Sequence, residues 1–118
     1  SDGAMTDIVI DTTKLDQIMN GLDYNADQVV KWLAYQVEAG AKMRAPVDTS
    51  ALRNSIHTSQ EKEGIYRVQD GVEYGIWVEM GHHTRSGSFV SPQPFLVPAA
   101  EAVAGDLNSG RTWERLFK

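Results

Sequence analysis

The first third of the chain carries hydrophobic residues at helical spacing. A short stripe follows Thr13 and Asp16, which are spaced as in a capping box. It comprises Leu15, Ile18, Met19 and Leu22. A longer stripe lies between Asn25, which can cap a helix, and Pro46, which ends one because its ring clashes with a preceding helical residue. It comprises Val29, Val30, Leu33, Ala34, Val37 and Ala41. The pattern predicts a short N-terminal helix and one long helix ending near Arg44.

After Ile56 the period changes towards two, which is typical of strands. Residues 55–60 and 65–69 are predicted strands joined by a polar turn. Asp70-Gly71 is a hairpin signal and leads into a third predicted strand, residues 72–80. In that strand one face would carry Tyr74, Ile76, Val78 and Met80, and the other Glu73, Gly75, Trp77 and Glu79.

The remaining chain begins with loop-forming residues and ends with a predicted helix. Residues 82–91 are polar and glycine-containing, and Pro92 and Pro94 keep the next residues extended. Pro98 suits a first helical turn. The apolar positions that follow are Ala99, Ala102, Val103 and Leu107, with a last amphipathic turn at Trp113, Leu116 and Phe117. The predicted class is α+β: an antiparallel meander packed against one long helix, with a short N-terminal and a C-terminal helix.

The junction between the long helix and the first strand is the most distinctive local motif. The Asp48 carboxylate can accept from the free amides of the next turn, so a short helical turn is expected to start at Thr49. Leu52 and Ile56 then share one side of the turn, and Arg53 lies on another. A further hypothesis pairs Arg53 with Glu79 across the helix–strand junction.

Length, charge and cysteine content narrow the classes of protein. At 118 residues the chain is expected to form one domain, residues 5–118, with residues 1–4 a vector-derived remnant. Without cysteine there are no disulfides or thiolate ligands, which fits a cytoplasmic origin. The net charge of −5 argues against strong non-specific nucleic-acid binding, and no apolar run is long enough to span a membrane.

Candidate chemistry is limited to His82 and His83, with His57, Glu79 and Asp48 as conceivable companions. Adjacent histidines seldom share a metal because their side chains diverge, and no zinc-protease or nucleophile-elbow motif accompanies them. Solvated loop histidines are therefore the favoured interpretation. We expect no enzyme activity, no metal site and no cofactor. A small metal-dependent hydrolase using His82, His83 and Glu79 stays as the alternative.

Trp77 and the loop after it have two interpretations each. Trp77 is either covered by a helix or an anchor in a protein–protein contact, and the flanking glutamates argue against its deep burial. The loop of residues 82–91 is either a surface loop or an assembly loop that orders against a neighbouring subunit. The second interpretation of the loop is favoured, largely for the resemblance that follows.

Three segments together resemble a family of tailed-bacteriophage proteins, the small head–tail joining or tail-completion proteins typified by the tenth gene product of phage HK-97. The first segment has Ala45, Pro46, Asp48, Thr49, Leu52, Arg53, Ser55 and Ile56; the second has Tyr74, Trp77, Val78, Glu79 and Gly81; the third has Pro92, Pro94, Phe95, Leu96, Pro98 and Ala99. Three residues depart from the family pattern, namely Ser50, Trp77 and His82.

The resemblance implies a non-enzymatic virion component of a phage or prophage. Such proteins act at the head-proximal end of the tail, where a ring of subunits, often six, joins tube to neck. The implied partners are further copies of the chain and tail-tube, tail-terminator or head-connector proteins, with a host protein-binding adaptor as another alternative. In such a ring DNA would pass through the centre without specific binding, and acidic charge would keep it from sticking. The implied assembly residues are Trp77, Glu79, His82, His83, Arg85 and Phe89.

Overall fold

The computed structural model describes residues 7–19, 21–46 and 50–108. The predicted long helix is present as α2 (Ala26–Arg44), with the predicted buried stripe at Val30, Leu33, Ala34, Val37 and Ala41. Asn25 is extended and its side-chain oxygen accepts from the Gln28 amide at 3.1 Å, which satisfies one of the helix's free N–H groups. The helix ends at Ala45, whose ψ of 140° is the extended conformation that a following proline favours.

A three-stranded antiparallel sheet packs on α2. Its strands are β1 (Asp7–Ile10), β2 (His57–Lys62) and β3 (Ile65–Gln69), in the order β1-β3-β2. Ile8 pairs with Val68 and Ile10 with Tyr66, so these side chains face the helix on one side of the sheet. Two of the three predicted strands are thus confirmed. The first begins later than predicted because Ser55 still belongs to α3 (Ser50–Ser55).

The β2–β3 hairpin is tied to the start of α2 through Asp27. Its carboxylate accepts from the Gly64 amide at 2.8 Å, the Tyr66 hydroxyl at 3.0 Å and the Gln60 side-chain amide at 3.1 Å. The Gly64 amide is the main reason that the pKa of Asp27 lies below its ordinary value, since hydrogen bonds to the carboxylate favour its charged form. This carboxylate therefore fixes the sheet's orientation on the helix.

Both core residues predicted for this junction are buried, Leu52 within α3 and Ile56 directly after it. Leu52 and Ile56 are 0% and 1% exposed. The Ser55 hydroxyl lies 2.7 Å from the Leu52 carbonyl and accepts from the Gly71 amide at 2.9 Å, which ties α3 to the chain after β3. Asp48 and Thr49, and with them the predicted cap, lie outside the described residues.

The third predicted strand is wrong, because the chain there forms the helix α4 (Gly75–Met80). Asp70 is fully buried, and its carboxylate accepts from the Val72 amide at 3.2 Å, which starts a turn in place of a hairpin. Gly75 packs against that carboxylate, where an added Cβ would lie 2.5 Å from the Asp70 Cγ. β-branched and aromatic residues favour a strand locally, but these tertiary contacts decide for a helix. The residues that turn inward are Gly75 and Glu79, four apart.

Short elements complete the described chain. The predicted N-terminal helix is the single turn α1 (Leu15–Ile18). Lys14 holds the N-cap position in place of the predicted Thr13 and makes no side-chain cap, and the Asp16 side chain of the predicted capping box lies outside what the structure describes. After α4 come β4 (His82–His83) and β5 (Phe89–Val90), which pair with each other, and then the predicted C-terminal helix, α5 (Leu96–Asn108). The predicted turn with Trp113, Leu116 and Phe117 lies outside the described residues.

Helix α5 packs along α2 at small side chains. A Cβ on Gly40 would lie 3.3 Å from the Cβ of Ala99, so glycine allows the two helices to approach closely. The described residues thus form the predicted α+β class, about one long helix with a sheet on one side and α5 on another. None of the helices in this part of the chain is long and apolar enough to cross a membrane.

Candidate functional site

Glu79 joins α4 to the start of α5. It is only 4% exposed, and its carboxylate accepts from the backbone amides of Phe95, Leu96 and Val97 at 3.1, 2.9 and 3.2 Å. These amides lie at the start of α5, where the backbone N–H groups have no carbonyl acceptor within the helix. A carboxylate distant in sequence therefore performs the role of an N-cap, aided by the positive end of the helix dipole.

Two further contacts hold the segment between β5 and α5 on α4. The Gln93 amide donates to the Val78 carbonyl at 2.8 Å. Gly81 has a φ of 76°, and a Cβ there would lie 2.8 Å from the Val90 carbonyl oxygen and 2.9 Å from the Pro92 Cδ. Glycine is therefore required at this crossing, both for its backbone conformation and for space.

Residues 82–90, which we call the arm, form a two-stranded hairpin between these fixed ends. Its turn is closed by bonds from the Thr84 amide to the Ser88 carbonyl at 2.8 Å and from the Gly87 amide to the Thr84 carbonyl at 3.0 Å. The residues predicted as a loop therefore form a hairpin within one subunit, and both interpretations, a surface loop or an assembly loop, stay predictions. Arg85 lies exposed at its turn.

Large apolar side chains remain exposed around the arm, forming what we call the aromatic surface. The exposed fractions are 57% for Trp77, 66% for Met80, 55% for Phe89 and 39% for Val90. Trp77 stacks on His82 with their ring centroids 5.7 Å apart. The rings of His83 and Phe89 are tilted against each other, with their centroids 5.0 Å apart. Clustered exposed apolar groups of this kind mark interaction sites on soluble proteins.

A shallow cavity of about 130 Å³ opens beside Trp77. The described residues that line it are Pro46, Trp77, Val78, His82, Val90, Ser91 and Gln93. Among the residues that the structure describes, the buried Nδ1 atom of His82 has no hydrogen-bond partner. The aromatic surface therefore combines an indole, an imidazole and a small apolar cavity, a combination suited to holding a side chain of another protein.

The structure brings together five of the six predicted assembly residues, which are Trp77, His82, His83, Arg85 and Phe89 on or beside the arm. Glu79 lies apart from them, because its side chain turns inward to α5. The prediction that it shares a face with Trp77 is wrong. So is the proposed Arg53–Glu79 pair: among the described residues the Arg53 Nε is buried without a hydrogen-bond partner, and Arg53 and Glu79 form no ion pair.

The histidines and Glu79 do not converge on a common ligand site. His82 stacks on Trp77, His83 contacts Phe89, and three backbone amides surround the Glu79 carboxylate. Within residues 7–19, 21–46 and 50–108, no group of three or more histidine, aspartate or glutamate side chains could hold a metal ion. The alternative based on a metal-dependent hydrolase therefore gains no geometric support there.

Most other residues of the three motifs support the fold and do not contribute to the aromatic surface. Leu52, Phe95 and Leu96 are completely buried, Pro98 lies in the first turn of α5, and Pro94 is exposed in the extended segment before it. Two residues of the aromatic surface were missed from sequence. The alternating pattern groups Met80 with Tyr74, Ile76 and Val78 on one face of a strand that does not form, and Val90 lies in a predicted loop where no periodicity singles it out.

A comparison with known protein families identifies one family that matches the chain. Its residues 12–81, more than half of the 118, match the family model described as "Bacteriophage HK97-gp10, putative tail-component". The matched range runs from before α1 to the residue after α4 and so includes Trp77 and Glu79. No curated protein and no solved structure matched. The family match, together with the two motifs that it contains, shows that the chain belongs to the HK97-gp10-like family of bacteriophage tail components.

Proposed function

We propose that the protein is a structural virion component that assembles into a ring at the head–tail junction or tail end and joins the tail tube to the neck. The observation that carries the proposal is the aromatic surface in a member of a tail-component family. In this proposal the protein acts through a surface that is complementary to its partners, without a catalytic step or a cofactor.

The exposed rings are suited to a specific contact. Tryptophan is enriched among the residues that dominate binding energies, and such residues act best when they are held in place beforehand. Trp77 lies on α4, which the Glu79 cap and the Gln93–Val78 bond fix to the body of the domain. The surface is thus formed in the single subunit and needs little ordering on assembly.

The proposed partners are further copies of the chain, with a ring of six proposed by analogy with the family, and tail-tube, tail-terminator or head-connector proteins. A ring requires head-to-tail contacts that close at a fixed number of subunits. DNA would pass through the ring without specific binding, helped by the net charge of −5. The protein would assemble in the host cytoplasm and remain in the virion.

The proposal can be tested in the phage or prophage that encodes the chain. We expect Trp77→Ala to leave the subunit folded but to yield separate heads and tails, because the substitution removes the largest exposed ring of the aromatic surface. Electron microscopy of lysates measures the fraction of joined particles, and circular dichroism of the purified variant measures folding.

Tyr35→Ala is the matched control, because Tyr35 is an aromatic residue of similar exposure, 45%, on α2 away from the arm. It should support joined particles at the wild-type yield. A Trp77→Ala variant that joins heads and tails normally would contradict the role of the aromatic surface. Joined particles in the complete absence of the protein would contradict the proposed function itself.

A further inference from the structure

We infer that the two outer strands of the sheet join neighbouring copies of the chain, with β1 of one subunit pairing along β2 of the next. The inference rests on the proposed self-assembly and identifies the contact through which it occurs. A head-to-tail ring requires two different surfaces on each subunit, one for each neighbour. The two outer edges of the sheet supply such a pair, which leaves the aromatic surface for a different protein of the tail.

Both edges of the sheet are open in the single subunit. In the order β1-β3-β2, each outer strand pairs with β3 on one side and with no strand among the described residues on the other. Along such an edge alternate residues point their backbone N–H and C=O groups outward, where a strand of another chain can pair with them. Each subunit therefore has two sites for strand addition.

The two edges match in level and in direction. Residues 7–10 of β1 and residues 57–60 of β2 flank the same four residues of β3, residues 66–69. Both outer strands run antiparallel to β3 and are therefore parallel to each other. Rotation about a ring axis that lies along the strands would bring β1 of one copy level with β2 of the next and in the same direction. A ring needs this match because its symmetry includes no shift along the axis.

Arg67 at the centre of β3 braces both edges. Its guanidinium pairs with Asp7 on β1 and with Glu61 on β2, on the sheet face that points away from α2. Val9 and Ser59 both lie opposite Arg67 in the register, and both are exposed. The alternation of the two faces would thus continue across a junction between copies, with Val9 of one beside Ser59 of the next.

The lengths of the two edges also match. The register of the β2–β3 pairing shifts between Gln60 and Lys62, and a register shift and an edge lysine are two features that oppose strand addition. The regular part of β2 therefore has four residues, the same number as β1. Pairing between copies would cover these four residues and end before the β2–β3 turn.

A disulfide can test the contact directly because the chain has no cysteine. Val9→Cys and Ser59→Cys are introduced together into one chain, which is assembled into tails and oxidised. Within one subunit the two positions lie on opposite sides of β3, two strand spacings or about 10 Å apart, whereas a disulfide needs Cα atoms within about 7 Å. Between paired copies they lie one spacing apart, about 5 Å.

We expect a ladder of covalent multimers on a non-reducing denaturing gel. Strand pairing holds the two thiols at an effective concentration of about a millimolar, so linkage should exceed that of micromolar free chains by roughly a hundredfold. Circular dichroism of the purified double variant checks that it folds. The same chain with Trp77→Ala should still give the ladder, because the aromatic surface takes no part in the pairing of the strands.

The control pairs Val9→Cys with Glu73→Cys, an exposed position before α4, and should stay monomeric on the gel. If wild-type rings form but the Val9–Ser59 pair yields no more multimer than this control, the edge assignment is wrong and self-assembly stands. If no ring forms by native mass spectrometry or in tails, and no ladder appears, the proposed function is wrong as well. Covalent dimers of chains carrying only one of the two cysteines would mean that like edges pair, which overturns the inference. Loss of the ladder on Trp77→Ala would assign the contact to the aromatic surface and do the same.

Discussion

The Glu79 carboxylate lies 2.9 Å from the backbone nitrogen of Leu96, the first residue of α5. The arm lies between these two residues in sequence, so the bond closes its base. One buried side chain therefore both begins a helix and sets the position from which the aromatic surface projects. This relationship explains why the second and third motifs occur together: the acid of one caps the helix that the other starts.

Glu79→Ala should destabilise the fold by about 3 kcal/mol, since it leaves the amides of a buried helix start without their acceptor. Glu79→Gln keeps one acceptor oxygen and should cost about 1–2 kcal/mol. Urea unfolding measures both. Glu73→Ala, at an exposed position before α4, serves as the control and should change the free energy of unfolding by less than about 0.5 kcal/mol. Equal losses for Glu79→Ala and Glu73→Ala would refute the capping role.

Gly75→Ala should destabilise the protein by about 3 kcal/mol, because the new methyl group would overlap the buried Asp70 carboxylate. Gly105→Ala is its matched control. Among the described residues, no atom lies within 4 Å of a Cβ at Gly105, so alanine at this helical position should add about 0.5–1 kcal/mol of stability as the better helix former. Thermal unfolding should therefore shift in opposite directions for the two variants. A shift in the same direction would argue against the tight Gly75–Asp70 contact.

Phe95 and Phe89 should respond differently to truncation. Phe95 is completely buried, so Phe95→Ala should cost about 3–5 kcal/mol through lost burial and the cavity left behind. Phe89 is 55% exposed, so Phe89→Ala should cost less than about 1 kcal/mol in the isolated subunit. Chemical denaturation of both variants tests the difference. A large loss at Phe89 would mean that its ring supports the fold of the subunit and is not reserved for a partner.

Stability should fall in acid partly through Asp27. Its pKa is lower in the folded protein than the ordinary value, mainly because of the Gly64 amide. A lowered folded-state pKa means that the stabilisation is complete above the unfolded value of about 3.9 and is lost as the pH falls through the folded value. Asp27→Asn should therefore reduce the urea midpoint at pH 6 and flatten its decline below pH 4. Asp23→Asn, at an exposed position, is the control and should leave the urea midpoint at pH 6 as in wild type.

Elements whose own residues repeat with a clear period were predicted well. The stripe from Val30 to Ala41 identified α2, and its cap at Asn25 and its end before Pro46 followed from local chemistry. The strand at residues 65–69 was also placed correctly. In each case one side of the element faces the core, so that burial and backbone period select the same structure.

Residues 72–80 show where this reasoning stops. The alternation of Tyr74, Ile76, Val78 and Met80 fits a strand, yet α4 forms because Asp70, Gly75 and Glu79 find partners only in a helix. Asp70 accepts from the Val72 amide, Gly75 packs against the Asp70 carboxylate, and Glu79 accepts from the amides at the start of α5. None of these contacts is visible in the local pattern.

The sequence by itself determined the α+β class, the long helix, the hairpin beside it and, through three spaced motifs, the family. Only the tertiary structure decided which side chains are buried. Glu79 turns inward, and Trp77, Met80, Phe89 and Val90 stay at the surface. The physical reason is that period and propensity act within a few residues, whereas a buried carboxylate must be satisfied by whatever donors the whole fold brings to it. The aromatic surface stays exposed because the inward side of α4 is occupied by Gly75 and Glu79, which satisfy these buried polar contacts.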